Sequence, residues 1–341
     1  MKTVKAISVV MPAYNAAGWL GKSIPRVDKA LQQAGVSSSE IIIIDDGSTD
    51  ETLETAKKLK TKSPLRVLHF ENGGRFLARK RGTEAAKYDH ILFIDTRIYI
   101  APKGLKFIVE QIKKEPSRQV WTTHVHLDME GNIYARFWEA ITFVAWWKYF
   151  RNPRDVSYGI KEFDSYPKGT TCFFVPKEVF AEANNWFEKN TKDMKTSNDD
   201  TLLIRRIAEK NSININPAFS CIYHARTNFR NFIKHVHHRG KVFVDGFLRR
   251  DGNALFYPLV AFLVLSAFLP IVLLLFPSTI MLVVSACIVA WLSLPLIFLL
   301  IGVQLKNAAS FFILSPVFLV SYGLGIWKAF IKIHVAPLFK H

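Results

Sequence analysis

Residues 40–52 read EIIIIDDGSTDET: a β-branched run, a pair of aspartates, a Gly-Ser turn and an acidic entry into an amphipathic segment. Short runs of this kind bounded by turn residues read as strands. Working outward, ISVVMP, RVLHF and HILFID repeat the pattern, and amphipathic stretches at 16–34 and 52–60 lie between them. That alternation predicts βαβ units around a parallel sheet. Such sheets bind ligands at the C-terminal ends of their strands. Three polar segments fall there: Pro12 to Asn15, Asp45 to Ser48, and Asp95 to Arg97.

Past residue 118 the pattern loosens. VWTTHVHL is expected as a strand, Glu130, Gly131 and Asn132 as a turn, 166–176 as a strand, 199–210 as a helix and 228–250 as a basic helix containing Gly240. The aromatic stretch FWEAITFVAWWKYF at 137–150 suits a membrane interface, or equally a core helix. Three apolar stretches follow at 254–276, 278–303 and 308–327, with Lys306 the only charge between Asp251 and Lys328. Each is long enough to cross roughly 30 Å of hydrocarbon, and none has the polar stripe of a soluble helix. Pro277 is expected to turn the first two into a hairpin, and Pro316, Gly323 and Gly325 to weaken the third. Three spans would put Lys328, Lys332 and Lys340 outside. Two spans with a non-crossing third segment would keep them inside, as the charge rule prefers.

The opening MKTVKAISVVMP has a short apolar run closed by Pro12, so it reads as a strand and not a signal peptide, and the first domain is expected to stay in the cytoplasm. Of the net charge of +17, residues 251–341 carry +3 and the rest +14. Arg226, Arg230, Lys234, Arg239, Lys241, Arg249 and Arg250 precede the first apolar stretch, which fits attraction to an anionic leaflet. No aromatic-basic RNA motif or zinc spacing accompanies the charge, so nucleic acid is not an expected partner. Cys172, Cys221 and Cys287 are odd in number and far apart in sequence, which suggests reduced thiols. His235, His237 and His238 crowd one helix too closely for a tetrahedral metal site.

Taken in order, VVMPAYN, IIIIDDGSTDET, GGRFLARKRG, FIDTR, SNDD and YHAR resemble family 2 of the inverting glycosyltransferases over roughly residues 5–245. The resemblance implies an α/β GT-A fold: a Rossmann-like nucleotide-sugar-binding half at 1–117 and an acceptor-binding half at 118–250. A membrane anchor of two or three helices at 251–341 would follow. It further implies a nucleotide-sugar donor, UDP-linked most often in the family, and a lipid-linked or membrane-proximal glycan acceptor, with membrane lipids as further partners.

Carried over residue by residue, the resemblance places Pro12, Tyr14, Asp45, Asp46, Arg79, Asp95 and Arg97 on the donor. Tyr14 would stack on the base, Asp45 would accept the N3–H of a uracil, and Arg79 would neutralise diphosphate. Helix capping is the other reading of Asp46 and Ser48, and a solvated basic face that of Arg79. Asp200, with Asp199 as its alternate, would be the base, and Arg205 and Arg206 follow as the family expects. Capping by either aspartate is the other reading. Trp146, Trp147 and Arg239 would lie toward the acceptor.

Two positions depart from the family. Lys80 stands where Asn is usual, and Arg97 where the second carboxylate of Asp-x-Asp would hold a divalent cation, Mg or Mn. Asp95 and His224 are the residues left to ligate one. The expectation is that Arg97 supplies that charge wholly or in part. The rival reading is a non-catalytic membrane scaffold with a decayed site.

Overall fold

The computed structural model describes residues 3–191, 194, 195, 197–248 and 255–336. The elements run β1 (Ala6–Ala13), α1 (Ala17–Gln33), β2 (Ser38–Asp46), α2 (Thr52–Lys58), β3 (Leu65–Phe70), α3 (Arg75–Ala85), β4 (His90–Ile94), β5 (Ile98–Ile100), α4 (Gly104–Lys114), β6 (Val120–Thr122), β7 (His124–Leu127), α5 (Ile133–Ala145), α6 (Trp147–Phe150), β8 (Val156–Tyr158), β9 (Cys172–Pro176), α7 (Lys177–Asn190), α8 (Asp199–Ala208), β10 (Ile213–Ile215), β11 (Ser220–Tyr223), α9 (Phe229–Phe247), α10 (Phe256–Leu275), α11 (Ile280–Ile301) and α12 (Leu305–Phe330). They form two interleaved units, one from residues up to 128 together with 152–224, the other from 129–151 together with 225 onward.

In the first unit an eight-stranded sheet runs β3-β2-β1-β4-β9-β6-β10-β8. β3, β2, β1 and β4 are parallel, as the alternation predicts, and Ile41 to Ile44 are fully buried because helices cover both faces. Beyond the four strands of that alternation the sheet is mixed: β9 runs antiparallel between β4 and β6. VWTTHVHL also divides. β6 stays in the large sheet while β7 joins a second sheet of order β5-β11-β7, and between them the Thr123 hydroxyl donates to the Cys172 carbonyl. One core layer sets Leu20, Ile24 and Val27 of α1 with Ile7, Val9, Ile41, Ile43 and Leu92. On the opposite face Phe93 meets Phe180 at 4.2 Å, and Phe76 meets Phe187 at 4.5 Å.

The register fixes what shares an edge. Ala13 pairs with Asp45 and Asp45 with His69. The C-terminal ends of β1, β2 and β3, and of β4 beside β1, therefore open together. Gly47 has φ +69°, and a Cβ there would fall 2.6 Å from the Asn72 amide nitrogen, so the turn after β2 admits only glycine.

The second unit is helical. The aromatic stretch is a core element here: Phe137 on α5 is buried with Phe232 and Val236 of α9 and Leu314 of α12. α9 starts one residue after the Asn228 cap, whose side chain accepts from the Asn231 amide. Arg249, Arg250, Asp251 and Lys340 lie outside the described residues. Three helical segments, 256–275, 277–301 and 305–335, are long and apolar enough to cross a membrane. α12 continues through Pro316, one of the residues expected to weaken it. Proline removes one amide, and the carbonyl it would orphan, that of Phe312, accepts from Ser315 Oγ at 3.0 Å and Trp291 Nε1 at 3.3 Å. Gly325 serves close packing: a Cβ there would meet the His237 carbonyl oxygen at 2.3 Å, and one at Gly240 would meet the Tyr322 carbonyl oxygen at 2.2 Å.

Candidate active site

The loops after β1 and β2 are tied together. The Asn15 amide donates to Ser48 Oγ at 3.0 Å, and the Thr49 amide donates to Asn15 Oδ1 at 2.8 Å. Tyr14 projects from this junction as an exposed ring, and Pro12 lies within β1 two residues before it. Asp45 is sealed, with 0% of its side chain exposed, beneath a His69 that is 52% exposed and whose Nδ1 lies 2.7 Å from Asp45 Oδ2. Its other oxygen accepts from the Ser48 amide at 3.3 Å.

Asp46 has other work. Its two oxygens accept from the Gly73 and Gly74 amides at 2.9 and 2.8 Å, and Arg81 lies 3.6 Å away. It thus serves the N-terminus of α3, where a carboxylate is favoured by the helix dipole, and not that of α2 as the capping reading supposed. Lys80 pairs with Glu84 at 2.8 Å and Glu188 at 3.3 Å.

Arg79 lies among carboxylates. Its guanidinium is 2% exposed and meets three carboxylates: Nη1 donates to Asp199 Oδ2 at 2.7 Å and Asp200 Oδ1 at 2.9 Å, and Nη2 to Asp95 Oδ1 at 3.2 Å. Arg75, one turn earlier on α3, donates to Asp199 Oδ1 at 3.0 Å. The Thr170 hydroxyl donates to Asp200 Oδ1. Asp199 is 2% exposed with both oxygens on arginines, whereas Asp200 is 29% exposed. Partial desolvation raises the Asp95 carboxyl above its usual range, with Arg79 opposing the rise. Burial and the neighbouring Asp200 raise that of Asp199. Arg79, whose burial disfavours its charge, is nonetheless held more firmly protonated by Asp200, Asp95 and Asp199.

Arg97 lies over the Trp19 ring at 4.5 Å and donates to the His224 carbonyl at 3.2 Å. His224 sets Nδ1 2.8 Å from Asp128 Oδ2 and stands 4.1 Å from the Tyr99 ring. Its buried Nε2 has no hydrogen-bond partner among the described residues. Among those residues no three His, Cys, Asp or Glu side chains are grouped to hold a metal ion. Asp95 already shares an oxygen with Arg79, and a guanidinium occupies the position of the second carboxylate. This donor set does not fit a protein-held divalent cation.

The residues expected toward the acceptor belong to the helical unit. Trp146 ends α5, Trp147 is exposed beside Lys148, and Arg239 lies 4.7 Å over the Trp138 ring. Arg205 grips Asp164 at 2.8 and 3.0 Å, and Arg206 pairs with Glu209. Sequence reasoning passed over His69, Arg75, Asp128, Trp19 and Thr170. Only His69 and Arg75 carried a signal: a polar residue at the end of RVLHF, and a guanidinium four residues before Arg79.

An α/β sheet with a polar strand edge and a carboxylate pair at a helix start is the arrangement the resemblance to glycosyltransferases leads one to expect. The family model described as Glycosyl transferase family 2 matches residues 8–181, half of the chain, and the chain belongs to that family. The match ends before α8, so Asp199 and Asp200 are joined to it by the fold. Among relatives, hyaluronan synthase of Pasteurella multocida is 32% identical over 134 residues, 39% of this chain and 13% of that protein. Dolichol-phosphate mannosyltransferase of Pyrococcus furiosus is 32% identical over 108 residues, 31% of this chain and 30% of the other. A crystal structure of S. aureus TarS 1-349 aligns with a TM-score of 0.47 and 17% identity, covering 74% of this chain and 68% of that one.

Proposed function

We propose that this glycosyltransferase moves a sugar, with inversion, from a UDP-linked donor to a lipid-linked or membrane-proximal glycan acceptor. The observation that carries the reading is the partly exposed Asp200, clamped by Arg79 and Thr170 beside the end of β4. Asp199 is the weaker base, because both its oxygens are committed to arginines. In the step proposed, Asp200 takes the acceptor hydroxyl proton as that oxygen bonds to the anomeric carbon. The bond to the leaving phosphate oxygen breaks on the opposite face, and its electron pair departs with the nucleoside diphosphate. Tyr14 stacks on the base, and Asp45 reads its edge through the exposed His69 ring that covers it.

Arg97 meets the charge of the departing diphosphate, wholly or in part in place of a divalent ion. Complete loss of activity on EDTA titration, restored by Mn, would overturn that role. The catalytic unit faces the cytoplasm and the apolar helices hold it at the bilayer. Support comes from the excess of cations before the first apolar helix. Incubating the purified protein with a panel of nucleotide sugars and following nucleotide release tests the function. Release from UDP-sugars that rises with a lipid-linked acceptor is expected, and release from none refutes the reading.

A further inference from the structure

A buried guanidinium bridging three carboxylates from two separate elements does not look outward to a ligand. Arg79 projects from α3, Asp95 follows the end of β4, and Asp199 and Asp200 open α8. Nη1 alone holds Asp199 and Asp200 together, at 2.7 and 2.9 Å. Around this hub Arg75 fixes the outer oxygen of Asp199, and Thr170, just before β9, fixes the same Asp200 oxygen that Arg79 holds. Arg79 and Thr170 therefore both hold Oδ1 of one partly exposed carboxylate, while Arg75 steadies its neighbour Asp199.

We propose that Arg79 is a positioning residue for the Asp200 carboxylate and not a ligand of the donor diphosphate. Resting on the assignment of Asp200 as base, this gives the position a different chemistry from the one its sequence context implies. The planar fork of arginine is needed because Nη1 and Nη2 must face the α8 start and the β4 end at once. A lysine ammonium supplies the charge from a single point and cannot span both. Loss of the fork would leave Asp200 charged but less firmly oriented, and a misplacement of about 1 Å can cost about 10²-fold in transfer. Its effect falls on turnover. Donor affinity, which depends on contacts made elsewhere, is spared.

The test uses the full chain in detergent or nanodiscs. For Arg79→Lys, kcat is expected to fall about 10²-fold while donor KM and UDP Kd stay within about threefold. Because Arg79 is buried and its variant can misfold, UDP binding serves as the folding control, and Thr170→Val provides an independent arm. That change removes one hydroxyl from the clamp and leaves every charge in place, and kcat is expected to fall about tenfold at unchanged KM. A rise of about tenfold or more in donor KM and UDP Kd with kcat retained in Arg79→Lys would return the residue to the diphosphate and overturn the proposal. Unchanged kcat in Thr170→Val would equally overturn the clamp. Asp200→Asn separates the two levels: near-full turnover there overturns the base assignment itself, whatever Arg79 does.

Discussion

Exchanging each member of the aspartate pair for asparagine should produce opposite signatures. Asp199 is sealed, and its oxygens meet Arg75 at 3.0 Å and Arg79 at 2.7 Å. Asparagine keeps one acceptor and turns an amide N–H toward the other guanidinium, so one charge-assisted bond, worth about 1.5–3 kcal/mol, is lost. Part of this is offset. Arg75 and Arg79 face Asp95, Asp199 and Asp200, and the exchange leaves two carboxylates for two guanidinium groups. A net loss of about 1–2 kcal/mol would lower Tm by about 2–8 °C in a unit of this size. Turnover should fall by less than about tenfold, because the base and its clamp remain. Asp200→Asn touches a group 29% exposed and keeps an oxygen for Arg79 and Thr170, so Tm should hardly move. Turnover should fall about 10²- to 10⁴-fold, the usual worth of a general base. Thermal unfolding followed by fluorescence and initial rates of nucleotide release give both readings on the same samples. If Asp199→Asn abolished turnover at unchanged Tm while Asp200→Asn remained active, the ordering argued from burial would be wrong.

Further outcomes are expected elsewhere in the chain. His69→Ala removes the ring through which the sealed Asp45 meets the base and should weaken UDP binding about tenfold at nearly constant kcat, and titration calorimetry checks it. Gly325→Leu would drive a side chain into the His237 carbonyl, already 2.3 Å from a Cβ, and should destabilise the helical unit by about 1–3 kcal/mol in a detergent melt. Asp28 is partly desolvated, which raises its carboxyl, but the Lys62 and Ser63 amides at 2.7 and 2.9 Å hold it below 3.8 on balance. The increment it contributes is therefore present above pH 3.8 and lost as pH falls through the depressed folded value. Asp28→Asn should lack that increment, so its stability curve and the wild type's should converge in acid. A constant offset down to the lowest pH would refute this.

The run of isoleucines before Asp45, the proline-closed first strand and the long apolar tail were legible in the sequence. Each is a local pattern: burial on both faces of a strand, or lipid around a helix, selects residue types along a contiguous stretch. That Asp45 and Tyr14 sit at strand ends and the aspartate pair at a helix start was legible for the same reason; their roles toward donor and acceptor are proposals. What Arg79 contacts was not legible. Its partners lie 16, 120 and 121 residues away, and a guanidinium spaced for a phosphate looks, in sequence, the same as one spaced for carboxylates. The antiparallel insertion of β9, the division of VWTTHVHL between two sheets and the role of Gly325 likewise depend on what lies across from each residue. Strand direction and close approach are properties of pairs, and pairs distant in the chain are made only when the tertiary structure closes.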